Sequence, residues 1–390
     1  DLTISKKNEV YLKVDCEPHI KYELADRFSF DVEGAKFMPQ YRNKYWDGKI
    51  KLFNLNKGEI YAGLIHRIQT FCEEYDYSFE FENSKFFGLP YEENDMVSYE
   101  GVKEYINKIT NFKPRDYQIE GIYDALRCNR RLIVSPTGSG KSLMIYALSR
   151  FHAEQNKKIL IVVPTTSLVE QMYKDFYEYG WDVKTNCHRI YAGKDLFSNA
   201  PVIISTWQSL YKQDKKWFRN FSCVIGDEAH QFKSKSLMSI MTKLDGAKHR
   251  YGFTGTLDGS QTHKWVLEGL FGSSYKIVNT KDLQEAGYLA KLNIKVLLLK
   301  HDPQKFEVYE DEIKYLISHE RRNKFIKNLV HDLKGNTLVL YSRVATHGQI
   351  LFDLINTNSR RVFFVHGGVD TEERETVRQI AESENDAIIV

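Results

Sequence analysis

The sequence predicts an α/β protein with two parallel-sheet domains, the second of them truncated, preceded by a small α+β domain. The chain has 390 residues, enough for two or three domains at roughly 100–200 residues each. From Pro114 onward, short apolar runs alternate with amphipathic stretches, which is typical of a parallel sheet covered on both faces. Residues 1–82 lack this alternation and indicate a separate mixed domain.

The N-terminal α+β domain is expected at residues 1–82, and residues 83–112 are expected to connect it to the rest of the chain. The connector is polar and acidic around Glu92–Asp95, and a short helical pattern follows near Val102–Ile109. Alternating apolar residues predict the strands of the domain, and helical spacing predicts its helix. The predicted strands are Val10–Val14, Lys49–Asn54 and Ser78–Phe81, and the predicted helix is Leu64–Tyr75.

The two parallel-sheet domains are expected at residues 113–290 and 291–390. Because the chain stops inside an apolar run, we expect the second domain to be incomplete at its C-terminus. The strands predicted in the first domain are Leu132–Val134, Ile159–Val163, Val202–Ile204, Cys223–Ile225 and Tyr251–Thr254, with helices at Leu143–Gln155, Ser167–Tyr179 and Lys235–Leu244. Those of the second are Ile294–Leu299, Thr337–Tyr341, Val362–Val365 and Ala387–Val390, with helices at Ile313–Leu333, Ala345–Asn356 and Thr371–Glu382.

Composition and charge exclude several classes of protein. Apolar residues make up 42% and charged residues 27% of the chain, as in folded globular proteins. No run approaches the roughly 18–20 apolar residues of a membrane helix, and the N-terminus has no signal-peptide pattern. The five cysteines are far apart, which argues against a disulfide scaffold or a zinc site. We expect a cytoplasmic protein without a membrane partner, and the net charge of +3 indicates no partner by itself.

Residues 135–142, Ser-Pro-Thr-Gly-Ser-Gly-Lys-Ser, follow an apolar strand and precede an amphipathic helix, the setting of a phosphate-binding loop. Glycines let backbone N–H groups turn toward phosphate oxygens, and the helix N-terminus adds partial positive charge. Lys141 is expected to reach the β- and γ-phosphates and Ser142 to ligate Mg²⁺. Ser135 stands where glycine is usual, and the alternative is a chance turn. The predicted ATP-binding residues of the loop are Thr137, Gly138, Ser139, Gly140, Lys141 and Ser142.

A second acidic motif, Asp227-Glu228-Ala229-His230, follows the apolar run Phe221–Ile225. Carboxylates at the carboxyl end of a parallel strand lie where such sheets bind ligands. Asp227 is expected to hold Mg²⁺, and Glu228 to orient or deprotonate the water that attacks the γ-phosphate. The alternative is a solvated acidic turn. The predicted catalytic residues are Lys141, Asp227 and Glu228.

With these motifs, the chain resembles the superfamily 2 nucleic-acid helicases that contain a DEAH motif. The resemblance implies two RecA-like lobes with ATP bound between them, an adenine contact from Arg115 and Gln118, and coupling of the γ-phosphate to lobe movement through His230, Thr254 and Thr256. Glycine between the two threonines departs from the usual alanine. Further motifs match in order: Val163–Leu168, Ser205–Leu210, Leu338–Arg343 and Phe364–Gly368.

The whole chain looks most like the UvsW-type helicases of large tailed phages. Three N-terminal stretches carry this likeness: Phe28–Phe30, Tyr45–Ile50 and Gly63–Ile65. It implies an ATP-driven motor that remodels branched DNA and RNA–DNA hybrids during recombination and replication, in the host cytoplasm if the protein comes from a phage.

Two regions are predicted to bind nucleic acid. Thr165, Thr166, Thr206 and Trp207 lie in helicase motifs whose hydroxyls suit phosphate contacts, and helix capping is the alternative reading of the threonines. Residues 36–67 hold seven Lys or Arg against two acids, a local charge of 7 − 2 = +5, among several aromatic residues. Such a mixture suits backbone neutralisation and base stacking. The N-terminal contacts expected from it are Lys44, Lys49 and Lys51, unless the stretch is only a solvated face.

The expected enzyme is a nucleic-acid-stimulated ATP hydrolase that unwinds DNA or RNA. In the helicase family, two later motifs close the ATP site, and one of them carries an arginine finger worth roughly 10³–10⁵ in turnover. Neither motif is found in the sequence, so we expect weak turnover from this chain. The alternatives are the motor subunit of a restriction system, and a nucleic-acid clamp that ATP switches without efficient turnover.

Overall fold

The computed structural model describes residues 1–32, 34–82, 87–89, 97–191, 195–257, 261–302, 304–357 and 359–390. These residues form two compact units, Asp1–Lys291 and Leu292–Val390. The acidic stretch Glu92–Asp95 of the predicted connector lies outside the described residues. Within the described ranges, no helix is both long and apolar enough to cross a membrane.

The first unit begins with a mixed five-stranded sheet of strand order β5-β6-β2-β1-β7 and a separate two-stranded ribbon of β3 and β4. Buried Leu12 and Val14 alternate with exposed Lys13 and Asp15, as expected for a strand with one buried face. The predicted strands and helix are confirmed, although Lys49–Asn54 forms two short strands. The elements are β1 (Leu2–Lys6), β2 (Tyr11–Cys16), α1 (Pro18–Arg27), β3 (Ser29–Asp31), α2 (Pro39–Arg42), β4 (Lys49–Lys51), β5 (Phe53–Asn54), β6 (Glu59–Tyr61), α3 (Ile65–Tyr75) and β7 (Phe79–Phe81).

A seven-stranded sheet of order β10-β11-β9-β12-β13-β8-β14 forms the rest of the first unit. Its paired strands all run parallel, which confirms the α/β class. The strands are β8 (Arg130–Val134), β9 (Ile159–Val163), β10 (Cys187–Ile190), β11 (Val202–Thr206), β12 (Cys223–Gly226), β13 (His249–Thr254) and β14 (Ser274–Lys276). The helices are α4 (Tyr99–Ile109), α5 (Asp116–Cys128), α6 (Lys141–Glu154), α7 (Thr166–Glu178), α8 (Val183–Asn186), α9 (Trp207–Leu210), α10 (Lys215–Phe218), α11 (Lys235–Lys243), α12 (Gln261–Phe271) and α13 (Thr280–Glu285).

The N-terminal sheet and the parallel sheet of the first unit are joined through α12. Gly63, in a 3₁₀ turn before α3, lies so close to α12 that a Cβ there would be 2.0 Å from the carbonyl oxygen of Glu268. Arg67 donates hydrogen bonds to both carboxylate oxygens of Glu268 at 2.9–3.2 Å. Burial acts to raise the pKa of Glu268, but hydrogen bonds and the charges of His66 and Arg67 outweigh it and hold the pKa at about 2. The contact therefore contains a buried, ionised pair.

The second unit has a three-stranded parallel sheet with β17 at its centre. The expected helix Ile313–Leu333 is two helices, because extended His319 ends the first, and its ring nitrogen accepts the Arg322 N–H that begins the second. The predicted strand Ile294–Leu299 is wrong: a strand needs a paired neighbour, and no described strand pairs with this exposed run. The elements are α14 (Tyr309–Ser318), α15 (Glu320–Asp332), β15 (Thr337–Leu338), α16 (Gln349–Ile355), β16 (Val362–Phe363), α17 (Thr371–Ser383) and β17 (Ile388–Ile389).

Candidate functional site

The loop between β8 and α6 has the shape of a phosphate cradle. Gly138 and Gly140 have φ angles of +79° and +80°, which side chains rarely adopt. A Cβ would lie 2.4 Å from the Leu289 side chain at the first position and 2.3 Å from the Gln118 amide at the second. Only glycine fits at either position. Thr137 is exposed at the tip of the loop.

Buried serine hydroxyl groups stabilise this loop by hydrogen bonds. Ser135 and Ser139 are fully buried, and their hydroxyl oxygens are hydrogen-bonded to each other. Ser139 is also within 2.6 Å of the Pro136 carbonyl oxygen, and the Ser135 N–H donates to the Thr254 carbonyl at 2.8 Å, tying the loop to the end of β13. The serine that departs from the usual glycine therefore holds the turn together.

The two residues after the loop face different groups. The Lys141 amine lies 3.3 Å from the Ser135 carbonyl oxygen, directed back across the loop. The Ser142 hydroxyl is 2.8 Å from the Tyr179 hydroxyl, and it also faces Asp175, whose pKa is raised by burial. Both side chains therefore lie at the phosphate loop, where a phosphate or a cation is expected.

Arg115 and Gln118 lie beside the phosphate loop at the start of α5. The Gln118 amide accepts the Arg115 backbone N–H at 2.9 Å and donates to the Ser139 carbonyl at 2.9 Å. The Arg115 guanidinium donates to the Tyr117 hydroxyl and lies 3.9 Å from the centre of the Tyr288 ring. Gln118 thus fixes the loop, and the Arg115 guanidinium lies over the Tyr288 ring.

The acidic pair follows β12, at the same edge of the sheet as the phosphate loop. Glu228 has a φ of +51°, an uncommon backbone conformation for a residue with a side chain that often marks functional turns. Its N–H donates to the Asp227 carboxylate at 2.9 Å. Burial raises the pKa of Asp227 to about 6, and the neighbouring Glu228 charge adds to the rise. A buried carboxylate of this kind is well suited to hold a cation that replaces its proton.

A chain of polar contacts joins the acidic pair to the end of β13. The Glu228 carboxylate is 3.3 Å from Nδ1 of His230, and the same nitrogen is 3.1 Å from Oγ1 of Thr254. The Thr254 hydroxyl donates to the Thr256 carbonyl at 2.8 Å. Since that hydroxyl has one proton, the histidine nitrogen must be the donor in their contact. The three predicted coupling residues therefore form a chain of contacts from Thr256 through Thr254 to His230, and His230 contacts Glu228.

The residues of the seven-stranded-sheet region that are expected to contact nucleic acid lie at the carboxyl ends of β9 and β11. Thr165 caps α7, where its hydroxyl accepts the Leu168 N–H at 3.3 Å, and Thr166 is exposed beside it. Thr206 is buried and its hydroxyl is 3.1 Å from Ser209, whereas Trp207 is half-buried. The exposed pair is the more accessible to a ligand.

The three N-terminal lysines lie on or near the β3–β4 ribbon. Lys44 is exposed, Lys49 is half-buried, and Lys51 is exposed but paired with Asp47. An open cleft of 810 Å³ lies beside the ribbon. Its lining residues are Lys36, Tyr41, Arg42, Lys44, Tyr45, Trp46, Asp47 and Lys51.

Four contacting residues of the candidate nucleotide site were not predicted as site residues: Tyr117, Asp175, Tyr179 and Tyr288. Tyr117 lies within the predicted adenine motif, between Arg115 and Gln118. The others come from α7, its C-cap and the segment after α13, which carry no local phosphate-binding pattern.

Comparisons with known proteins place the chain in a family. Residues 1–82 match the family described as DNA helicase UvsW, N-terminal, and residues 111–259 match the family described as Type III restriction enzyme, res subunit. Over its whole length the chain is 32% identical to the ATP-dependent DNA helicase uvsW of Enterobacteria phage T4, of which it covers 80%. The chain belongs to the UvsW family of DNA helicases.

Solved structures agree with membership of the UvsW family. A crystal structure of T4 UvsW is similar to the whole of this chain, with 29% identity and a TM-score of 0.65, and the match covers 79% of the T4 UvsW chain. A second crystal structure, of the UvsW helicase from the same phage, has 31% identity and a TM-score of 0.64. That match covers 71% of this chain and 99% of the chain in the phage structure. The helicase resemblance seen in the motifs is confirmed.

Proposed function

We propose that the protein is an ATP-dependent DNA helicase that remodels branched DNA and RNA–DNA hybrids. The observation that carries this proposal is the match to the UvsW family over the whole chain, together with the chain of contacts that joins the phosphate loop through Thr254 and His230 to Glu228. The restriction-enzyme match supports a motor subunit as a second candidate. That match is limited to residues 111–259, whereas the helicase match includes the N-terminal region.

ATP binding is assigned to the phosphate loop and α5. Backbone N–H groups at Thr137–Gly140 and the start of α6 would surround the β-phosphate. Lys141 would turn from the Ser135 carbonyl to the β- and γ-phosphates. Arg115 and Gln118 would position the adenine end of the nucleotide.

Hydrolysis is assigned to the acidic pair. The residues fit Mg²⁺: Ser142 offers a hydroxyl and Asp227 a buried carboxylate, and the ion when bound would neutralise charge on the phosphates. Glu228 would accept a proton from the attacking water. His230 and Thr254 would then pass the change at Glu228 to the end of β13 and to Thr256, which follows it.

Nucleic-acid binding is assigned to two surfaces of the first unit. Thr165, Thr166, Thr206 and Trp207 would contact a strand across the motor sheet. Lys44, Lys49 and Lys51 would hold the substrate at the N-terminal ribbon. Both sets suit contacts to phosphates, and such contacts hold a strand whatever its base sequence.

A side-by-side ATPase assay tests the proposal. We expect single-stranded DNA, forked DNA and an RNA–DNA hybrid loop to raise the rate of hydrolysis above the weak basal rate of this chain, because strand contacts and ATP chemistry share one sheet. Steady-state phosphate release with each nucleic acid measures this, and a reaction without nucleic acid is the control. If none of these nucleic acids stimulates hydrolysis, the result contradicts a motor. It would favour a nucleic-acid clamp that uses ATP binding only as a switch.

A further inference from the structure

The segment between β3 and β4 exposes aromatic side chains that a folded domain would ordinarily bury. Tyr45 is 86% exposed and Phe37 is 66% exposed, and Met38 and Tyr41 are also exposed. Exposed apolar groups gathered in one place mark a binding surface more often than scattered ones do. We call residues 36–48 the aromatic loop.

The aromatic loop is built to hold Tyr45 outward. Lys44 has a φ of +60°, and its N–H donates to the Tyr41 carbonyl while that of Tyr45 donates to the Gln40 carbonyl. Gly48 lets the Tyr41 ring pack over the turn, because a Cβ there would lie 3.0 Å from two ring atoms. The turn before Tyr45 is therefore fixed by backbone contacts.

The two neighbouring aromatic residues differ in their attachments. The Trp46 indole N–H donates to the Lys49 carbonyl at 2.8 Å, which anchors the ring to the ribbon. Among the described residues, no ring or hydroxyl contact holds the Tyr45 side chain. Trp46 therefore positions the loop, and Tyr45 is the ring available to a ligand.

Positive charge surrounds this ring. Lys36, Arg42 and Lys44 line the 810 Å³ cleft, and within the described ranges none of them has an acidic partner. A second cleft, of 870 Å³, includes Lys235 at the start of α11. Tyr45 and Trp46 line both clefts. The polyanion that such charges favour would therefore pass Tyr45 on its way between the clefts.

We propose that Tyr45 is a stacking platform for an unpaired base, in a single strand whose phosphates lie along Lys36, Arg42 and Lys44 and continue toward Lys235. This proposal rests on the proposed helicase function and names the form of substrate that the N-terminal ribbon selects. An aromatic ring between cations binds any unstacked base, because every base has a π-face, whereas paired bases offer none. A branch point or fork supplies such bases.

Equilibrium binding without nucleotide tests the platform. Tyr45→Ala is expected to weaken binding of single-stranded and forked DNA by about tenfold or more, with blunt duplex binding and the salt dependence unchanged. Tyr45→Phe should bind like the wild type, because the ring remains. Lys44→Ala should instead lower the slope of log affinity against log salt by about one for every substrate.

A matched control is Tyr22→Ala, since Tyr22 is 65% exposed in the same region and lines neither cleft. A 2-aminopurine base at the fork should change its fluorescence on binding to the wild type and less with Tyr45→Ala. Equal fork binding by wild type and Tyr45→Ala would overturn the platform. An equal loss of affinity for blunt duplex DNA with Tyr45→Ala would also overturn it. So would the finding that this surface binds an acidic protein and does not bind DNA. Any of these results with DNA-stimulated hydrolysis intact would leave the proposed function standing.

Discussion

Replacing Glu228 by Gln is expected to slow ATP hydrolysis by about 10²–10⁴-fold while nucleotide binding stays close to that of the wild type. The carboxylate lies 3.3 Å from His230 and beside the buried Asp227. Gln keeps the shape of the side chain but cannot accept a proton from water. Because Glu228 acts on the transition state and not on bound phosphates, the loss falls on turnover.

Single-turnover hydrolysis and fluorescent-nucleotide binding measure the two effects separately. Lys141→Ala should give the opposite pattern, a loss of nucleotide binding. Glu104→Gln, an exposed carboxylate change on α4, is the control and should alter neither. Normal hydrolysis by Glu228→Gln would show that another group accepts the proton.

Gly63→Ala is expected to lower the free energy of unfolding by about 3 kcal/mol. A methyl group at this position would lie 2.0 Å from the Glu268 carbonyl oxygen and 2.7 Å from that of Gly269. Both atoms belong to the backbone of α12 and cannot turn aside. The 3₁₀ turn must therefore move away from α12, which also pulls Arg67 from the buried Glu268 carboxylate.

Urea denaturation followed by tryptophan fluorescence measures this loss, and Trp265 on α12 reports on the contact directly. Gly246→Ala is the matched control, since that glycine is exposed and a Cβ there meets nothing within 4 Å. Its free energy of unfolding should change by no more than about 0.5 kcal/mol. Equal stability of the two variants would mean that the N-terminal sheet is not packed on α12 in solution.

The nucleotide loop could be predicted from the sequence because its signals are local. Glycine spacing, a preceding apolar strand and a following helix all lie within about 30 residues, as the βαβ context requires. The same holds for the strands of the first unit, whose β-branched runs are buried on both faces. The role of Ser135 was not predictable, since its hydroxyl bond to Ser139 depends on the turn that both residues form.

Contacts between distant parts of the chain could not be read from the sequence. Tyr288 reaches Arg115 from more than 170 residues away, and Gly63 meets α12 from about 200 residues away. Neither position has a pattern that names its partner. For the apolar run Ile294–Leu299, the sequence predicted a strand that the structure does not have. Its composition favours a strand, but a strand forms only where a neighbour pairs with it.

The most direct test of the helicase assignment is strand separation on branched substrates. A four-way DNA junction and an RNA–DNA hybrid loop, each with a fluorophore and a quencher on paired strands, are mixed with a form of the protein that also carries the two later helicase motifs, with and without ATP and Mg²⁺. We predict a rise in fluorescence on both substrates that requires ATP and is absent with Glu228→Gln. ATP hydrolysis without strand separation on either substrate, or separation that is equal without ATP, would contradict the assignment.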